Sequence, residues 1–365
     1  MRIEAQKEEQ MRKFSGKRMT LLVFLLVLSM VVAGCGKKAT PAPKTKAPAG
    51  ATCNKKVALV IAQGGLGDLS YNDLGMKGAN QAAIDFGASI KPIESADVVG
   101  QGEQILRNAA KAGFDLVITL EYSHADPLAR VAPDFPKTHF AIINIPVKQP
   151  NVASVLFKEH EGSFLAGALA AMVEDNPNIP GIRGKKIIGA IGGTKSKGID
   201  KFLVGYEEGA HYIDKDMKVL TAYSETFGDP AKGKEMALSM FEQGADIIYQ
   251  VAGGTGQGII AAAKQTGHYA IGVDSDQDYL APGHVLTSMI KRTDMAVYNL
   301  IKDECNGTFP AGKVVTYGLK EGGVGLSPMT YTRYMIPKAD LQRLDQIKKD
   351  IISGKIKVTD VTATK

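Results

Sequence analysis

The sequence has no tryptophan, and it has only three cysteines and six histidines among 365 residues. No cluster of histidine and cysteine has the spacing of metal ligands, so we predict no metal site and no bound cofactor. There is also no G-x-S-x-G nucleophile elbow and no cysteine–histidine pairing of the kind that hydrolases use. These absences argue against metal-dependent and hydrolytic enzymes.

The net charge is small and unevenly distributed. Of the formal charge of +6, residues 1–34 carry +3 and residues 35–56 carry +6, so residues 57–365 sum to −3. A slightly acidic body gives no reason to expect a nucleic acid as partner. We instead expect the basic N-terminal segment to lie near an anionic lipid surface.

Residues 1–34 are predicted to be a lipoprotein signal peptide. Lys17 and Arg18 precede Thr20–Ala33, an uncharged run of 14 residues that is short for a membrane span. Two small residues then precede Cys35, which resembles the lipobox of bacterial lipoproteins, whose cysteine is lipidated. We therefore expect an extracytoplasmic protein that is anchored to the cell membrane by a lipid on Cys35. A plain signal peptide or an anchor helix is the alternative.

Residues 35–53 are predicted to be a disordered tether, because they are rich in Lys, Pro and Ala and have too little apolar content to fold. The two other cysteines are Cys53 and Cys305. In an exported protein such a pair can form a disulfide, although two unpaired thiols are also possible.

The rest of the chain alternates between predicted strands and predicted helices. Apolar, β-branched runs predict strands at Lys56–Ala62, Ala88–Ile93, Leu116–Leu120, His139–Asn144, Lys186–Ile191, Lys218–Tyr223, Asp246–Ala252, Tyr269–Val273, Val285–Ile290 and Val314–Leu319. Helical patterns between the strands indicate a parallel, doubly wound α/β arrangement. The alternation restarts after about residue 155, which predicts two lobes with a ligand cleft between them.

Residues 244–277 resemble the ligand-facing edge of a βαβ unit. Four glycines between positions 253 and 258 follow a predicted strand, and Asp274 stands where the next predicted strand ends. This spacing also imitates the dinucleotide-binding fingerprint, so an NAD-dependent dehydrogenase is one alternative. The fingerprint, however, requires glycine where this chain has Ile259.

Several segments together carry a family resemblance. They are Ser70–Asn72 (SYN), Glu161–Gly167 (EGSFLAG), the glycines of IGAIGG, Phe202 and Gly205 in FLVGYEEGA, Asp229–Lys234 (DPAKGK), Gly253–Gly256 (GGTG), Gly272–Gln277 (GVDSDQ) and Leu286–Lys291 (LTSMIK). Their order and spacing over about residues 56–320 resemble the BMP (basic membrane protein) family of substrate-binding lipoproteins. That family includes the purine nucleoside receptor of spirochaetes.

The resemblance implies an α/β fold similar to type I periplasmic binding proteins, in which two doubly wound parallel-sheet lobes are joined by a three-strand hinge. Lobe one is then expected to comprise residues 54–153 plus 284–312, and lobe two residues 154–283 plus 313–365. This assignment places Cys53 and Cys305 in the same lobe, where a disulfide does not obstruct closure of the lobes.

The resemblance also implies a ligand site. Tyr71 and Phe202 match the aromatic pair that sandwiches the base in nucleoside-binding members, while Asp274 and Lys291 match groups that hold the ribose. The other expected site residues are Ser70, Asn72, Glu121, Gly253 and Gly254. From the sequence alone, Phe202 equally fits a helix core, Lys291 a surface lysine and Asn72 a helix cap.

The implied function is that of a substrate-binding lipoprotein of an ABC importer. It captures a small molecule, expected to be a purine nucleoside, and delivers it to a membrane permease and its ATPase. No enzymatic activity is expected, and a sensory receptor of the same fold is the alternative. Many relatives have Asp roughly where this chain has Gln63, whose amide both donates and accepts hydrogen bonds. A different base, or a ligand that is not a nucleoside, is therefore possible.

Overall fold

The computed structural model describes residues 53–363. The strands are β1 Lys56–Val60, β2 Ser89–Ile93, β3 Leu116–Thr119, β4 His139–Ile143, β5 Val152–Phe157, β6 Ile187–Gly192, β7 Lys218–Tyr223, β8 Ile247–Val251, β9 Tyr269–Asp274, β10 Val285–Lys291, β11 Val314–Tyr317 and β12 Val324–Leu326. The α-helices are α1 Tyr71–Phe86, α2 Gly102–Lys111, α3 Ala125–Val131, α4 Glu159–Glu174, α5 Lys197–Ile213, α6 Pro230–Glu242, α7 Gly256–Thr266, α8 Thr293–Cys305 and α9 Lys338–Ile352.

The strands form two six-stranded sheets. The first sheet has the order β11-β5-β4-β3-β1-β2, and every neighbouring pair is parallel. The second has the order β12-β10-β9-β8-β6-β7, in which only β12 runs antiparallel to its neighbour. Strands β8 and β9 are buried at every position, as expected for parallel strands covered by helices on both faces. The predicted α/β fold with two parallel-sheet lobes is confirmed.

Three crossings connect the lobes. The chain leaves the first sheet after β5, returns after β10 through α8, which packs against α1, and crosses again between β11 and β12. The crossings therefore lie near residues 158, 292 and 318–323. The lobe boundaries expected from the sequence, after residues 153, 283 and 312, each lie several residues before the corresponding crossing in the structure. Strand β10 pairs with β9 in the second sheet, and β5 and β11 complete the first.

The second lobe is built on a close contact between α4 and α5. Nearly every residue of α4 is buried, including the charged Glu159 and Glu174. A Cβ at Gly167 would collide with the backbone of Tyr206, and a Cβ at Gly209 would collide with the backbone of Phe164. Small residues thus let the two helix backbones touch. This contact fixes the position of the first turns of α5, which reach the cleft.

A disulfide joins Cys53 to Cys305, with 5.3 Å between the two Cα atoms. It ties the start of β1 to the end of α8, and both elements belong to the first lobe. The disulfide therefore does not restrict the expected movement of one lobe relative to the other. The predicted signal peptide, Cys35 and nearly all of the predicted tether lie outside the described residues. Within residues 53–363, no helix is both long and apolar enough to cross a membrane.

Candidate functional site

A cavity of about 600 Å³ lies between the carboxyl ends of the two sheets. The first lobe contributes the loop after β1 and the ends of β3, β4 and β5. The second lobe contributes the first turns of α5 and the ends of β8, β9 and β10. Ligands of open α/β sheets bind at this edge of the strands, and the volume suits a small organic molecule.

Most of the predicted site residues line this cavity. They are Tyr71, Asn72, Glu121, Phe202, Gly253, Asp274 and Lys291. Ser70 and Gly254 are buried next to it and do not face it. Ser70 instead contacts a residue of the cavity lining: its hydroxyl donates a hydrogen bond to Asp274 Oδ2 at 2.7 Å.

Three aromatic rings surround the ammonium of Lys291. The Nζ atom lies 5.1 Å from the ring centroid of Tyr71, 5.3 Å from that of Phe157 and 5.4 Å from that of Phe202. Tyr71 comes from the first lobe, Phe202 from the second, and Phe157 from the crossing between them. An ammonium within about 6 Å of a ring face is attracted by the ring quadrupole. The sequence did not indicate Phe157, because β5 was not predicted.

The ring of Tyr71 is held in place through its hydroxyl. This hydroxyl donates to the carbonyl of Leu120 at 3.0 Å and accepts from Asn144 Nδ2 at 3.1 Å. Burial, followed by the nearby carboxylates, raises the pKa of Tyr71 well above its usual value, so the phenol is neutral. Asn144 follows β4 with a φ of 80°, a left-handed conformation that asparagine tolerates better than most residues. The first lobe thus offers a fixed flat ring to the cavity.

A buried carboxylate joins two lysines at the hinge. Glu159 begins α4 directly after the first crossing, and its two oxygens lie 2.9 Å from Lys291 Nζ and 3.0 Å from Lys201 Nζ. All three residues are less than a tenth exposed. Burial opposes ionisation of Glu159, but the two ammonium groups outweigh it and lower the pKa of this carboxyl. The sequence singled out Lys291 but neither of its companions.

Asp274 ends β9 in a left-handed conformation with a φ of 66°. Burial raises the pKa of its carboxyl from 3.8 to about 6, while Lys291 and the hydroxyl of Ser70 act in the opposite direction. An acid that is buried and held in a rare backbone conformation at the end of a strand is typical of a functional position. Asp274 lines the cavity, and its role as a ligand of the ribose stays a prediction.

Two of the predicted polar site residues, Asn72 and Glu121, already form hydrogen bonds within the protein. The amide of Asn72 accepts from Ala62 N at 2.9 Å and donates to the carbonyls of Gln63 and Gly65, so it shapes the loop after β1. Glu121 accepts hydrogen bonds from Gln63 N at 3.1 Å and from Ser123 N at 3.0 Å. Both side chains line the cavity, yet their main contacts are to the backbone around it.

The loop after β1 also reaches across to the second lobe. The carbonyl of Leu69 accepts from Ser275 Oγ at 2.8 Å and from Gln277 Nε2 at 3.1 Å. The carbonyl of Gly67 accepts from Gln257 Nε2 at 3.0 Å. Together with the bond between Ser70 and Asp274, these contacts join the lobes over the cavity. The structure therefore has the two lobes closed on one another.

The glycines that imitate a dinucleotide fingerprint have a packing role. A Cβ at Gly256 would collide with the side chain of Gln250, and one at Gly258 would collide with the carbonyl of Pro230. Of the glycines between 253 and 258, Gly253 alone lines the cavity. This geometry removes the basis for a dinucleotide site. Within residues 53–363, no group of three or more His, Cys, Asp or Glu is arranged to hold a metal ion.

The comparison with known families decides the class of this protein. The family described as ABC transporter substrate-binding protein PnrA-like matches residues 55–362. The chain belongs to this PnrA-like family. It is therefore a substrate-binding protein of an ABC transporter system and not an enzyme, as the resemblance implied.

Curated relatives extend over most of the chain. Basic membrane protein A1 of Borrelia garinii subsp. bavariensis is 32% identical over 351 residues, covering 93% of this chain and 95% of the relative. Basic membrane protein A of Borreliella afzelii is 34% identical over 309 residues, covering 82% of this chain and 90% of the relative. The predicted BMP resemblance is confirmed.

Solved structures agree with the fold. An ABC transporter solute-binding protein from Aeropyrum pernix K1 superposes with a TM-score of 0.78 at 31% identity, covering 85% of this chain and 94% of its own. A solute-binding protein from Bacillus halodurans, solved with bound myo-inositol, has a TM-score of 0.56 at 14% identity, covering 80% of this chain and 99% of its own. The second comparison supports the type I periplasmic binding fold alone.

Proposed function

We propose that this PnrA-like protein captures a purine nucleoside between its two lobes and delivers it to a membrane permease and its ATPase. One observation carries the proposal. A flat ring from each lobe, Tyr71 and Phe202, faces the same cavity within 5.1 Å and 5.4 Å of one ammonium group. Two rings that approach one space from opposite lobes can stack on both faces of a planar ligand only when the lobes close.

A purine base suits this pair of rings. Stacking of a base on an aromatic side chain contributes about 1–3 kcal/mol, and it depends on the π face more than on base identity. A base that stacks on both rings requires the Lys291 ammonium at its edge, where the ammonium can keep its contact with Glu159. Gln63 lines the cavity and offers an amide to the base edge.

The ribose fits the polar side of the cavity. The Asp274 carboxylate can accept hydrogen bonds from two neighbouring hydroxyl groups, and such charge-assisted bonds are stronger than neutral ones. Lys291 donates to the same hydroxyl oxygens. A base without a sugar lacks these contacts, and a sugar without a base lacks the stacking, so we expect the complete nucleoside to bind more tightly than either part.

We further propose an extracytoplasmic location, with a lipid on Cys35 as the anchor. This proposal is supported by the lipobox-like sequence before Cys35. A relative from Pyrococcus horikoshii, 33% identical over 84% of this chain and 76% of its own length, is called an uncharacterized lipoprotein. Radiolabelled palmitate should be incorporated by the native chain and not by Cys35→Ala. Equal labelling of both proteins would contradict the anchor.

A thermal-shift panel tests the ligand class. Purine nucleosides should raise the melting temperature, because a ligand that binds only the folded state stabilises it by mass action. At 100 times its Kd, a ligand contributes about 2.7 kcal/mol. Free purine bases, ribose and myo-inositol serve as matched partial or unrelated ligands and should give smaller shifts. A shift with myo-inositol alone would contradict the proposal.

Nucleoside binding should weaken in acid. The ribose hydroxyls donate to the ionised form of Asp274. Burial raises the pKa of this carboxyl to about 6, with Lys291 and Ser70 opposing the rise and Asp68 and Glu159 adding to it. The ionised fraction falls about tenfold between pH 7 and pH 5, and the affinity should fall by about the same factor. Calorimetry at the two pH values measures this change. An affinity that rises towards pH 5 would contradict the role of the carboxylate.

A further inference from the structure

The segment that follows the last helix forms part of the cavity wall. Asp360, Thr362 and Ala363 line the cavity, although they lie after α9 in the chain. Ile356 and Val358 pack against the main hydrophobic core, and the Thr359 N–H donates to Glu208 Oε2 on α5 at 2.9 Å. The segment 359–363 is therefore held along α5, with its polar groups beside the ligand space.

Asp360 faces the buried Lys201. Its Oδ1 atom lies 4.0 Å from Lys201 Nζ and accepts hydrogen bonds from Thr362 N at 2.9 Å and Thr362 Oγ1 at 2.6 Å. Partial burial opposes ionisation, but the hydrogen bonds from Thr362 and the charge of Lys201 lower the pKa of the Asp360 carboxyl. Asp360 is therefore negatively charged at neutral pH.

The charges along this wall form a chain. Lys291 contacts Glu159, Glu159 contacts Lys201, and Lys201 faces Asp360. Lys291 also faces the Asp274 carboxylate, so Lys291 does not depend on Glu159 alone. Asp360 gives Lys201 a second carboxylate besides Glu159. Lys201 therefore lies between two carboxylates, which reduce the positive potential that it offers to a ligand.

We propose that Asp360 determines specificity by excluding anionic ligands from the cavity. A phosphate or carboxylate group near Lys201 would meet the Asp360 carboxylate, and like charges repel more strongly in a partly buried cavity than in open water. The cavity then admits neutral nucleosides and rejects nucleoside monophosphates, which share the base and ribose. This inference rests on the proposed nucleoside function.

Calorimetric titration of the full chain with guanosine and with guanosine 5′-monophosphate tests this inference. The wild-type protein should prefer guanosine by at least about 100-fold. Asp360→Asn should reduce this preference about tenfold, through tighter binding of the monophosphate. Asp360→Glu, which keeps the charge, should restore most of the preference. The control Asp345→Asn, an exposed position on α9, should leave it unchanged.

The outcomes separate the two proposals. If the wild-type protein binds guanosine and Asp360→Asn keeps the full preference, the role of Asp360 is wrong and the nucleoside function stands. The role of Asp360 is also wrong if Asp360→Asn lowers the preference for guanosine only by weakening guanosine binding, with no tighter binding of the monophosphate. If the wild-type protein binds no purine nucleoside, the proposed function is wrong, and the inference about Asp360 falls with it.

Discussion

Replacing Asp274 by asparagine should weaken nucleoside binding about 100-fold and leave the fold at least as stable at pH 7. Hydrogen bonds to a charged group contribute about 1.5–3 kcal/mol each, so the loss of the charge at two hydroxyl contacts accounts for this factor. Asparagine tolerates the left-handed backbone at this position and can still accept the hydrogen bond from Ser70. Calorimetry measures the affinity, and urea unfolding measures the stability.

The stability of the wild-type protein should change with pH in a defined direction. Burial raises the pKa of Asp274 from 3.8 to about 6, so keeping this group ionised in the fold costs about 3 kcal/mol at pH 7. The favourable effect of its protonation is complete below about pH 4 and is lost as the pH rises through about 6. The difference in free energy of unfolding between the wild-type protein and Asp274→Asn should therefore become smaller as the pH falls. Asp345→Asn, at an exposed position on α9 outside the cavity lining, is the control. Equal affinities for Asp274→Asn and the wild-type protein would contradict the site.

Replacing Glu159 by glutamine should reduce the free energy of unfolding by about 3–5 kcal/mol. Removing one partner from a buried ion pair leaves an uncompensated charge in a poorly solvated place, and here two ammonium groups lose their shared carboxylate. The pKa of Glu159 is lowered in the fold, so its contribution is present above the usual carboxyl pKa and is lost on acidification. Urea unfolding at pH 7 measures the loss.

Glu161 provides a matched control two residues further along α4. Its carboxylate is mostly buried and accepts a hydrogen bond from Leu319 N at 2.9 Å, which glutamine can keep, while its ion-pair partner Lys158 is about half exposed. Ion pairs that solvent reaches contribute about 0–1 kcal/mol. Glu161→Gln should therefore cost less than about 1 kcal/mol. Adding Lys201→Met to Glu159→Gln should recover part of the lost free energy of unfolding, because it removes one of the two buried ammonium groups that no longer have the Glu159 carboxylate as a partner. Similar losses for Glu159→Gln and Glu161→Gln would show that the buried cluster does not stabilise the hinge.

Local patterns in the sequence were sufficient to predict most elements of the fold. Strands such as β8 and β9 appear as short apolar runs because both of their faces are buried. The positions of the lobe crossings were predicted less well. Membership of β10 in the second sheet depends on its pairing with β9, a contact that no local pattern reports. No strand is predicted at Val152–Phe157 although five of its six residues are apolar, since the expected lobe boundary after residue 153 divides this run.

The sequence was sufficient to predict those residues of the candidate site that lie at or just after the end of a strand. Asp274 and Lys291 end β9 and β10, and Tyr71 begins the helix after β1. These positions meet at one edge because parallel strands end there together. The carboxyl end of β5 has the same property, so a correct prediction of β5 would have drawn attention to Phe157 and Glu159.

The remaining site residues gave no usable signal. Lys201 lies on a helix, where a charged residue is usually exposed, and it is buried only because Glu159 and the Phe157 carbonyl receive its ammonium group. Asp360 belongs to a short polar segment after the last helix, and only the path of that segment along α5 brings it to the cavity. Such residues depend on contacts between distant parts of the chain.

The most direct test of the account is mass spectrometry of the small molecule released when the natively purified protein is denatured. We predict a purine nucleoside, present with the wild-type protein and absent or strongly depleted with Asp274→Asn. Release of a sugar, an amino acid or a nucleotide in stoichiometric amount would contradict the account, as would equal amounts of nucleoside from the two proteins.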